Sequence, residues 1–215
     1  MQAVLFDMDG TLVDSEKVWE VGLNELAAHH GRPLSAQARR AMIGSNMTDS
    51  MRILHEDLEL PMTRAATDES VVWLEERVKE LLHQGVPWRP GAKELLAALR
   101  GEGVPLALVT ATHRHLVDVA LLTIGAGNFD AVVAGDEVDE TKPHPMPYLT
   151  AARLLGAEAR NCVAVEDSPN GIRSARAAGC AVLAVPCEID LDPEGVTLVG
   201  SLLDVDVDYL RKLVA

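Results

Sequence analysis

The sequence has few aromatic residues, few cysteines and little positive charge. Aromatic residues make up 3% of the chain, so aliphatic side chains must supply most of any core. The three cysteines, Cys162, Cys180 and Cys187, show no metal-type spacing or disulfide framework, which favours buried thiols in a reducing compartment. The formal net charge is -14, which argues against nucleic acid as a partner.

Long apolar runs and targeting signals are also missing. No stretch approaches the roughly 18 apolar residues of a membrane span. The first residues, MQAVLFDMDG, lack the basic region and the longer apolar run of a signal peptide. We therefore expect a soluble cytoplasmic protein that contacts no membrane, and we expect it to be a monomer.

Apolar residues nevertheless form 48% of the 215-residue chain, which is enough for a substantial core. They recur in short, nearly continuous runs, a pattern typical of strands buried on both faces of a parallel sheet. These runs cover residues 3–6, 106–109, 131–134, 162–165 and 181–185. Helical patterns at 92–100, 115–124, 147–155 and 170–178 lie between them. The alternation predicts an α/β fold, a doubly wound parallel-sheet core of the Rossmann-like kind.

One region breaks this alternation. Between residues 15 and 86 there is no strand-like run, but two helical stripes are present, one with Trp19 and Leu23 and one with Leu74 and Val78. We predict an all-helical cap domain over 15–86, inserted into a catalytic core formed by 1–14 and 87–215.

Two aspartates, Asp7 and Asp9, directly follow the first predicted strand, and Gly10 allows the chain to turn away at once. Ligands of such sheets bind at the carboxyl ends of the strands. One carboxylate of such a pair can attack phosphorus, and the other can protonate the leaving oxygen and later deprotonate water. Either aspartate alone is also compatible with a helix cap or a solvated turn, but the whole pattern favours catalysis.

Two further acids, Glu166 and Asp167, follow the predicted strand 162–165. Together with Asp7 and Asp9 they would form an oxygen-rich site suited to Mg²⁺, which prefers carboxylates, carbonyls and water. Capping of the next helix is the alternative.

Three polar residues at other strand ends are candidates for phosphate binding. Thr110 and Thr112 follow the run 106–109, where hydroxyls and backbone N–H groups can hold phosphate oxygens. Lys142 lies between prolines in the sequence TKPHP, and its charge can neutralise a phosphate. Each signal is weak alone, but one topology would bring all of these strand ends to the same edge of the sheet.

The order and spacing of these segments resemble the haloacid dehalogenase superfamily over essentially the whole chain. The matching segments are DMDGTL at residues 7–12, Thr110, Lys142 in KPHP, and Glu166–Asp167 in VEDSPNG. By this resemblance, Asp7 would be the nucleophile and a metal ligand, and Asp9 the acid/base that reaches the metal through its backbone carbonyl.

The same resemblance implies roles for the other residues. Thr110, the backbone N–H of Ala111 and Lys142 would hold the phosphoryl group. Glu166 and Asp167 would complete the Mg²⁺ shell. The helical insert resembles the cap of the subgroup that contains phosphoglycolate phosphatases, sugar-phosphate phosphatases and β-phosphoglucomutase.

The choice of reaction depends on Asp9 and on two cap positions. The dehalogenases that resemble this pattern lack the second aspartate, so Asp9 favours phosphoryl transfer. Relatives of the mutase type carry a histidine five residues after the aspartate corresponding to Asp14, and a cap lysine. This chain has Trp19 at the first position and Trp73, Leu74 and Glu75 near the second. We therefore favour hydrolysis, with a hexose-phosphate mutase or a non-catalytic phosphate-binding regulator as alternatives.

The expected substrate is a small phosphorylated metabolite, namely a sugar, polyol or deoxysugar phosphate. Gly44, Ser45 and Asn46 lie in a short loop between helical patterns. We predict that this loop reaches the site and selects the leaving group, and a plain interhelical turn is the alternative.

Overall fold

A six-stranded parallel sheet forms the centre of the computed structural model, which describes residues 1–188, 191–192 and 194–214. The strands are β1 (Ala3–Phe6), β2 (Leu106–Val109), β3 (Ala131–Val133), β4 (Cys162–Glu166), β5 (Ala181–Ala184) and β6 (Thr197–Leu198). Their order across the sheet is β3-β2-β1-β4-β5-β6, which places β1 next to both β2 and β4. The polar residues that follow these three strands are therefore neighbours.

The helices that follow residue 90 cover both faces of the sheet. They are α5 (Ala92–Gly101), α6 (Arg114–Ile124), α7 (Met146–Leu154), α8 (Pro169–Ala177) and α9 (Val207–Lys212). Alternate strand residues enter two separate cores: Val4 and Phe6 pack with α5, α6 and α9, whereas Ala3 and Leu5 pack with α7 and α8. Burial on both faces explains why the strands are continuously apolar. The prediction of a doubly wound α/β core is confirmed.

Four helices lie between β1 and α5 and form the helical insertion. They are α1 (Glu16–His29), α2 (Ala36–Met42), α3 (Met47–Asp57) and α4 (Arg64–Leu82). The chain enters and leaves this insertion side by side, because Val13 forms a bridge with Trp88 and the backbone N–H of Asp14 donates to the carbonyl of Pro87 over 2.8 Å. No described helix is long and apolar enough to cross a bilayer.

Several predicted boundaries differ from the structure. The run predicted at 162–165 extends by one residue, so that Glu166 is the last residue of β4 rather than the first residue after it. The runs predicted at 131–134 and 181–185 each end one residue earlier. Strand β6 was not predicted, because its two residues are too few to form a recognisable pattern.

Candidate active site

Lys142 joins two buried carboxylates at the ends of β1 and β4. Its Nζ lies 2.6 Å from Oδ1 of Asp7 and 2.5 Å from Oε1 of Glu166. Tyr148 of α7 donates its hydroxyl to the same Glu166 oxygen over 2.6 Å. Burial acts to lower the pKa of Lys142, but Asp7 and Glu166 outweigh it and raise that pKa above its ordinary value. The lysine is therefore held as a cation beside Asp7.

Asp167 brings a third carboxylate to this acidic cluster. One oxygen from each of Asp7, Glu166 and Asp167 lies within 4.8 Å of the others. Burial raises the pKa of Asp7 to about 8 and that of Asp167 well above its ordinary value, and the neighbouring carboxylates add to both increases. Within the described residues, Lys142 is the one ammonium group that contacts the cluster. Because three buried acids face one cation, this all-oxygen set fits a hard divalent cation.

Two glycines allow the acids to approach the backbone closely. Gly10 adopts φ +78°, and a Cβ there would lie 2.0 Å from Oδ2 of Asp167. A Cβ on Gly171, in the first turn of α8, would lie 1.8 Å from Oε1 of Glu166. Ser168, the N-cap of α8, donates its hydroxyl to Oε2 of Glu166 over 3.2 Å. The cluster is thus built into the turn after β1 and the start of α8.

Four donors hold the carboxylate of Asp9. Its Oδ1 accepts from the hydroxyl of Ser15 over 2.6 Å and from the indole N–H of Trp19 over 3.1 Å. Its Oδ2 accepts from the hydroxyls of Thr110 and Thr112 over 3.2 Å and 2.7 Å. A carboxylate offers about four lone-pair positions, so this arrangement uses all of them. Asp9 is not a member of the acidic cluster formed by Asp7, Glu166 and Asp167.

A cavity lies between the core and the helical insertion, and about 90 Å³ of it is open to water-sized molecules. The core side includes most of the residues singled out in the sequence: Asp7, Asp9, Thr110, Ala111, Thr112, Lys142 and Asp167. The insertion contributes polar side chains, Glu16, Arg39, Ser45 and Ser50, and apolar ones such as Trp19 and Leu74. The nucleophile candidate, the acid/base candidate and a cation therefore face one enclosed space.

A comparison with known protein families decides the family of the chain. The haloacid dehalogenase-like hydrolase family matches residues 1–179. This chain belongs to that family.

Individual relatives within the family are similar over nearly the whole chain. Hexitol phosphatase B from Escherichia coli K12 is 32% identical over 219 residues, which cover 99% of this chain and 94% of the relative. Protein CbbY from Rhodobacter capsulatus is 33% identical, with coverages of 87% and 86%. A crystal structure of a CbbY mutant from Rhodobacter sphaeroides in complex with xylulose-(1,5)bisphosphate aligns with a TM-score of 0.87 at 26% identity, covering 98% and 99% of the two chains. Family membership and the phosphatase relatives make this chain a hydrolase.

The predicted loop, Gly44 to Asn46, lies only partly in the cavity. Gly44 and Ser45 line the cavity, and the carbonyl of Gly44 accepts from the side chain of Asn170 in the core over 2.9 Å. Asn46 instead caps α3, because its Oδ1 accepts from the backbone N–H of Asp49 over 2.9 Å. Asn46 borders a neighbouring opening next to the cavity. The selection of the leaving group by this loop stays a prediction.

Several residues that shape this hydrolase site were missed in the sequence. Tyr148 is fully buried against Glu166, and its only local signal was a tyrosine in an otherwise aliphatic helical pattern. A buried tyrosine hydroxyl usually needs a polar partner, so the scarcity of aromatic residues could have drawn attention to it. Glu16 and Arg39 gave no local signal, because they lie on different helices and meet only in the folded chain.

Proposed function

We propose that this protein is a Mg²⁺-dependent phosphatase that hydrolyses a small phosphomonoester of a sugar, polyol or deoxysugar through an aspartyl-phosphate on Asp7. The observation that supports it most strongly is the meeting of Asp7, Asp9 and Lys142 on the floor of one cavity. The family and its hexitol phosphatase relative support the same reaction class. Mg²⁺ in the acidic cluster, held by Asp7, Glu166, Asp167 and the backbone of Asp9, would supply positive charge to the phosphoryl oxygens.

In the first half of the proposed reaction, a carboxylate oxygen of Asp7 attacks phosphorus and the bond from phosphorus to the leaving oxygen breaks. Asp9 carries a proton at this stage, which requires one of the hydroxyls that donate to it to rotate and accept instead. It donates that proton to the leaving oxygen, so that the alcohol leaves neutral. Lys142 and the Ala111 N–H, with Thr110 and Thr112 nearby, hold the phosphoryl oxygens.

In the second half, Asp9 accepts a proton from water, and the water oxygen attacks phosphorus. The bond from phosphorus to Asp7 breaks, which releases inorganic phosphate and restores both carboxyl groups. Acid/base help of this kind supplies about 10²–10⁴ in rate, whereas enzymes of this reaction class reach accelerations of up to ~10²¹. Most of the barrier must therefore be lowered by charge stabilisation and in-line positioning around Asp7 and Lys142.

We also propose that residues 15–86 act as a cap on a core formed by 1–14 and 87–215. The paired linkers at Val13 and Trp88 would let this segment move as a unit, and its wall of the cavity would keep water out during the first half. A cytoplasmic location and a monomeric state stay predictions.

Hydrolysis is favoured over the mutase alternative by the groups that contact the acid/base. Asp9 accepts a hydrogen bond from the indole N–H of Trp19, at the position where mutases of this subgroup carry histidine. Glu75 stands near the position where those mutases carry their cap lysine. A mutase must hold a bisphosphate and suppress attack by water, and these residues supply neither a second phosphate site nor the hinge imidazole.

The test is release of inorganic phosphate from p-nitrophenyl phosphate and from a panel of hexitol, hexose and 2-deoxyhexose phosphates, with Mg²⁺ or with chelator. We expect turnover that chelator abolishes and Mg²⁺ restores. Formation of glucose 6-phosphate from β-glucose 1-phosphate with its bisphosphate, without phosphate release, would show a mutase instead. A folded, metal-loaded protein without turnover of any phosphomonoester would favour the phosphate-binding regulator.

A further inference from the structure

Two basic side chains besides Lys142 line the cavity, and the first is paired with a buried carboxylate. Arg39 of α2 lines the cavity, and its Nη2 lies 3.1 Å from Oε2 of Glu16. The same nitrogen lies 3.4 Å from Oε2 of Glu188 in the core. Glu16 is only 6% exposed, so water screens this pair weakly. The positive charge of Arg39 is therefore already neutralised on the cavity wall.

The second basic side chain is His113, which directly follows the proposed phosphate-binding segment and also lines the cavity. Its Nδ1 lies 2.6 Å from Oε1 of Glu75 on α4, and Nε2 of His115 lies 3.6 Å from the other oxygen of Glu75. Glu75 is 8% exposed, and the proximity of its carboxylate raises the pKa of His113 above the ordinary value. The insertion thus provides a carboxylate beside each of these two basic side chains.

We propose that these two pairs, Glu16–Arg39 and Glu75–His113, exclude a second anionic group from the leaving-group side of the cavity. The substrate would then be a monophosphate whose leaving group is a neutral polyhydroxyl chain. Among the described residues that line the cavity, the basic side chains are Lys142, Arg39 and His113, and all three contact carboxylates. A second phosphate would approach Glu16 on the wall and Glu75 behind His113 without an unpaired cation to receive it, and such like charges select against a ligand.

The same wall offers complementary groups to a neutral alcohol. The hydroxyls of Ser45 and Ser50 lie 2.6 Å apart and can rotate to donate or accept. Trp19 and Leu74 supply apolar surface for the C–H groups of a carbohydrate.

The inference rests on the phosphatase activity proposed above, and its test compares two substrates on one carbon chain. Mannitol 1-phosphate and mannitol 1,6-bisphosphate differ only in the second phosphate. We expect kcat/KM of the unaltered enzyme to be at least about tenfold higher for the monophosphate. The assay is run at pH 8, above the pKa of about 7 that burial gives Glu16, so that this carboxyl is ionised. In Glu75→Gln, and independently in Glu16→Gln, this ratio should fall by about tenfold, because each substitution removes a negative charge beside the cavity. Using the ratio cancels any loss of activity that both substrates share.

A matched control is Glu76→Gln, which makes the same charge change on the same helix at a side chain that is 67% exposed. Its ratio should equal that of the unaltered enzyme. Efficient hydrolysis of the bisphosphate by the unaltered enzyme would overturn the proposal, and so would an unchanged ratio in both Glu75→Gln and Glu16→Gln.

Calorimetry in an Asp7→Asn background separates this inference from the proposed function. There, the ratio of Kd values for the two mannitol phosphates tests the selectivity without turnover. If the unaltered enzyme hydrolyses no phosphomonoester, the proposed function is wrong, while the Kd ratio still supports or overturns the exclusion of the second anion.

Discussion

The indole N–H of Trp19 donates a hydrogen bond to Oδ1 of Asp9 over 3.1 Å. Trp19 lies on α1, at the start of the helical insertion, whereas Thr110 and Thr112, which hold the other oxygen of Asp9, belong to the core. The orientation of the proposed acid/base therefore depends on both parts of the molecule. A displacement of α1 would release Oδ1 while Oδ2 stays bound.

Trp19→Phe removes this donor but keeps an aromatic ring on the cavity wall. We expect kcat to fall roughly tenfold with a smaller change in KM, because one hydrogen bond to a charged group is lost while the phosphate contacts remain. Steady-state kinetics on the best phosphomonoester measures both constants.

The control for this variant is Trp73→Phe. Trp73 is also on the insertion, but its indole stacks on His29 with ring centroids 5.5 Å apart. Its kcat should stay within about twofold, as expected for a substitution away from the site. Equal losses in the two variants would contradict a specific role of Trp19 at Asp9.

Tyr148→Phe tests the hydrogen bond from the tyrosine hydroxyl to Glu166. Glu166 is fully buried, so loss of the donor should lower the free energy of unfolding by about 1–3 kcal/mol. It should also lower kcat/KM by about tenfold or more, because Glu166 helps to position Lys142 and the acidic cluster. Denaturant unfolding and kinetics measure the two effects. Tyr209→Phe, on α9, should change neither, and activity of Tyr148→Phe equal to that of the unaltered enzyme would oppose this role.

Gly171→Ala tests the close approach between α8 and Glu166. The added Cβ would lie 1.8 Å from Oε1 of Glu166, so either the carboxylate or the helix must move. We expect a loss of stability of several kcal/mol or nearly complete loss of activity. In Gly101→Ala, at the end of α5, the Cβ would meet no described atom within 4 Å, and stability should be kept or slightly increased. Full activity and stability of Gly171→Ala would contradict the geometry.

Glu16 gives the protein a pH-dependent stability that Glu16→Gln should remove. Burial raises the pKa of Glu16 from 4.5 to about 7, although Arg39 opposes this. The folded chain therefore binds this proton more tightly than the unfolded chain. The resulting contribution, on the order of 3 kcal/mol, is fully present below pH 4.5 and is lost as the pH rises through about 7.

Urea unfolding at pH 5 and pH 8 measures this contribution. The difference in unfolding free energy between the two pH values should be smaller in Glu16→Gln than in the unaltered protein. Glu20→Gln, an exposed position on the same helix, should behave like the unaltered protein. If Glu16→Gln kept the full pH dependence, the raised pKa would have to belong to another group.

The catalytic candidates could be predicted from the sequence because each follows a strand or a motif of the family. Asp7 and Asp167 come directly after β1 and β4, and the parallel order of those strands brings them together. The fold class was predictable for the same reason, since continuous apolar runs indicate strands buried on two faces.

The two carboxylate pairings of the cavity residues Arg39 and His113 could not be predicted in this way. Arg39 and Glu16 are on different helices, and Glu75 meets His113 across the boundary between insertion and core. Such pairs depend on helix packing, which has no local sequence pattern. Asn46 is the opposite case. Asparagine is a common helix N-cap, so its capping of α3 could have been recognised from the local sequence.

The central claim is that Asp7 carries the phosphoryl group, and chemical trapping tests it most directly. The enzyme is mixed with Mg²⁺ and its best phosphomonoester, quenched within milliseconds and treated with borohydride, which reduces an acyl phosphate to an alcohol. Peptide mass spectrometry should then find homoserine at position 7 only when substrate was present, and Asp7→Asn should be folded, inactive and unmodified. Continued turnover by Asp7→Asn, or steady turnover of the unaltered enzyme with no modification at Asp7, would contradict the account.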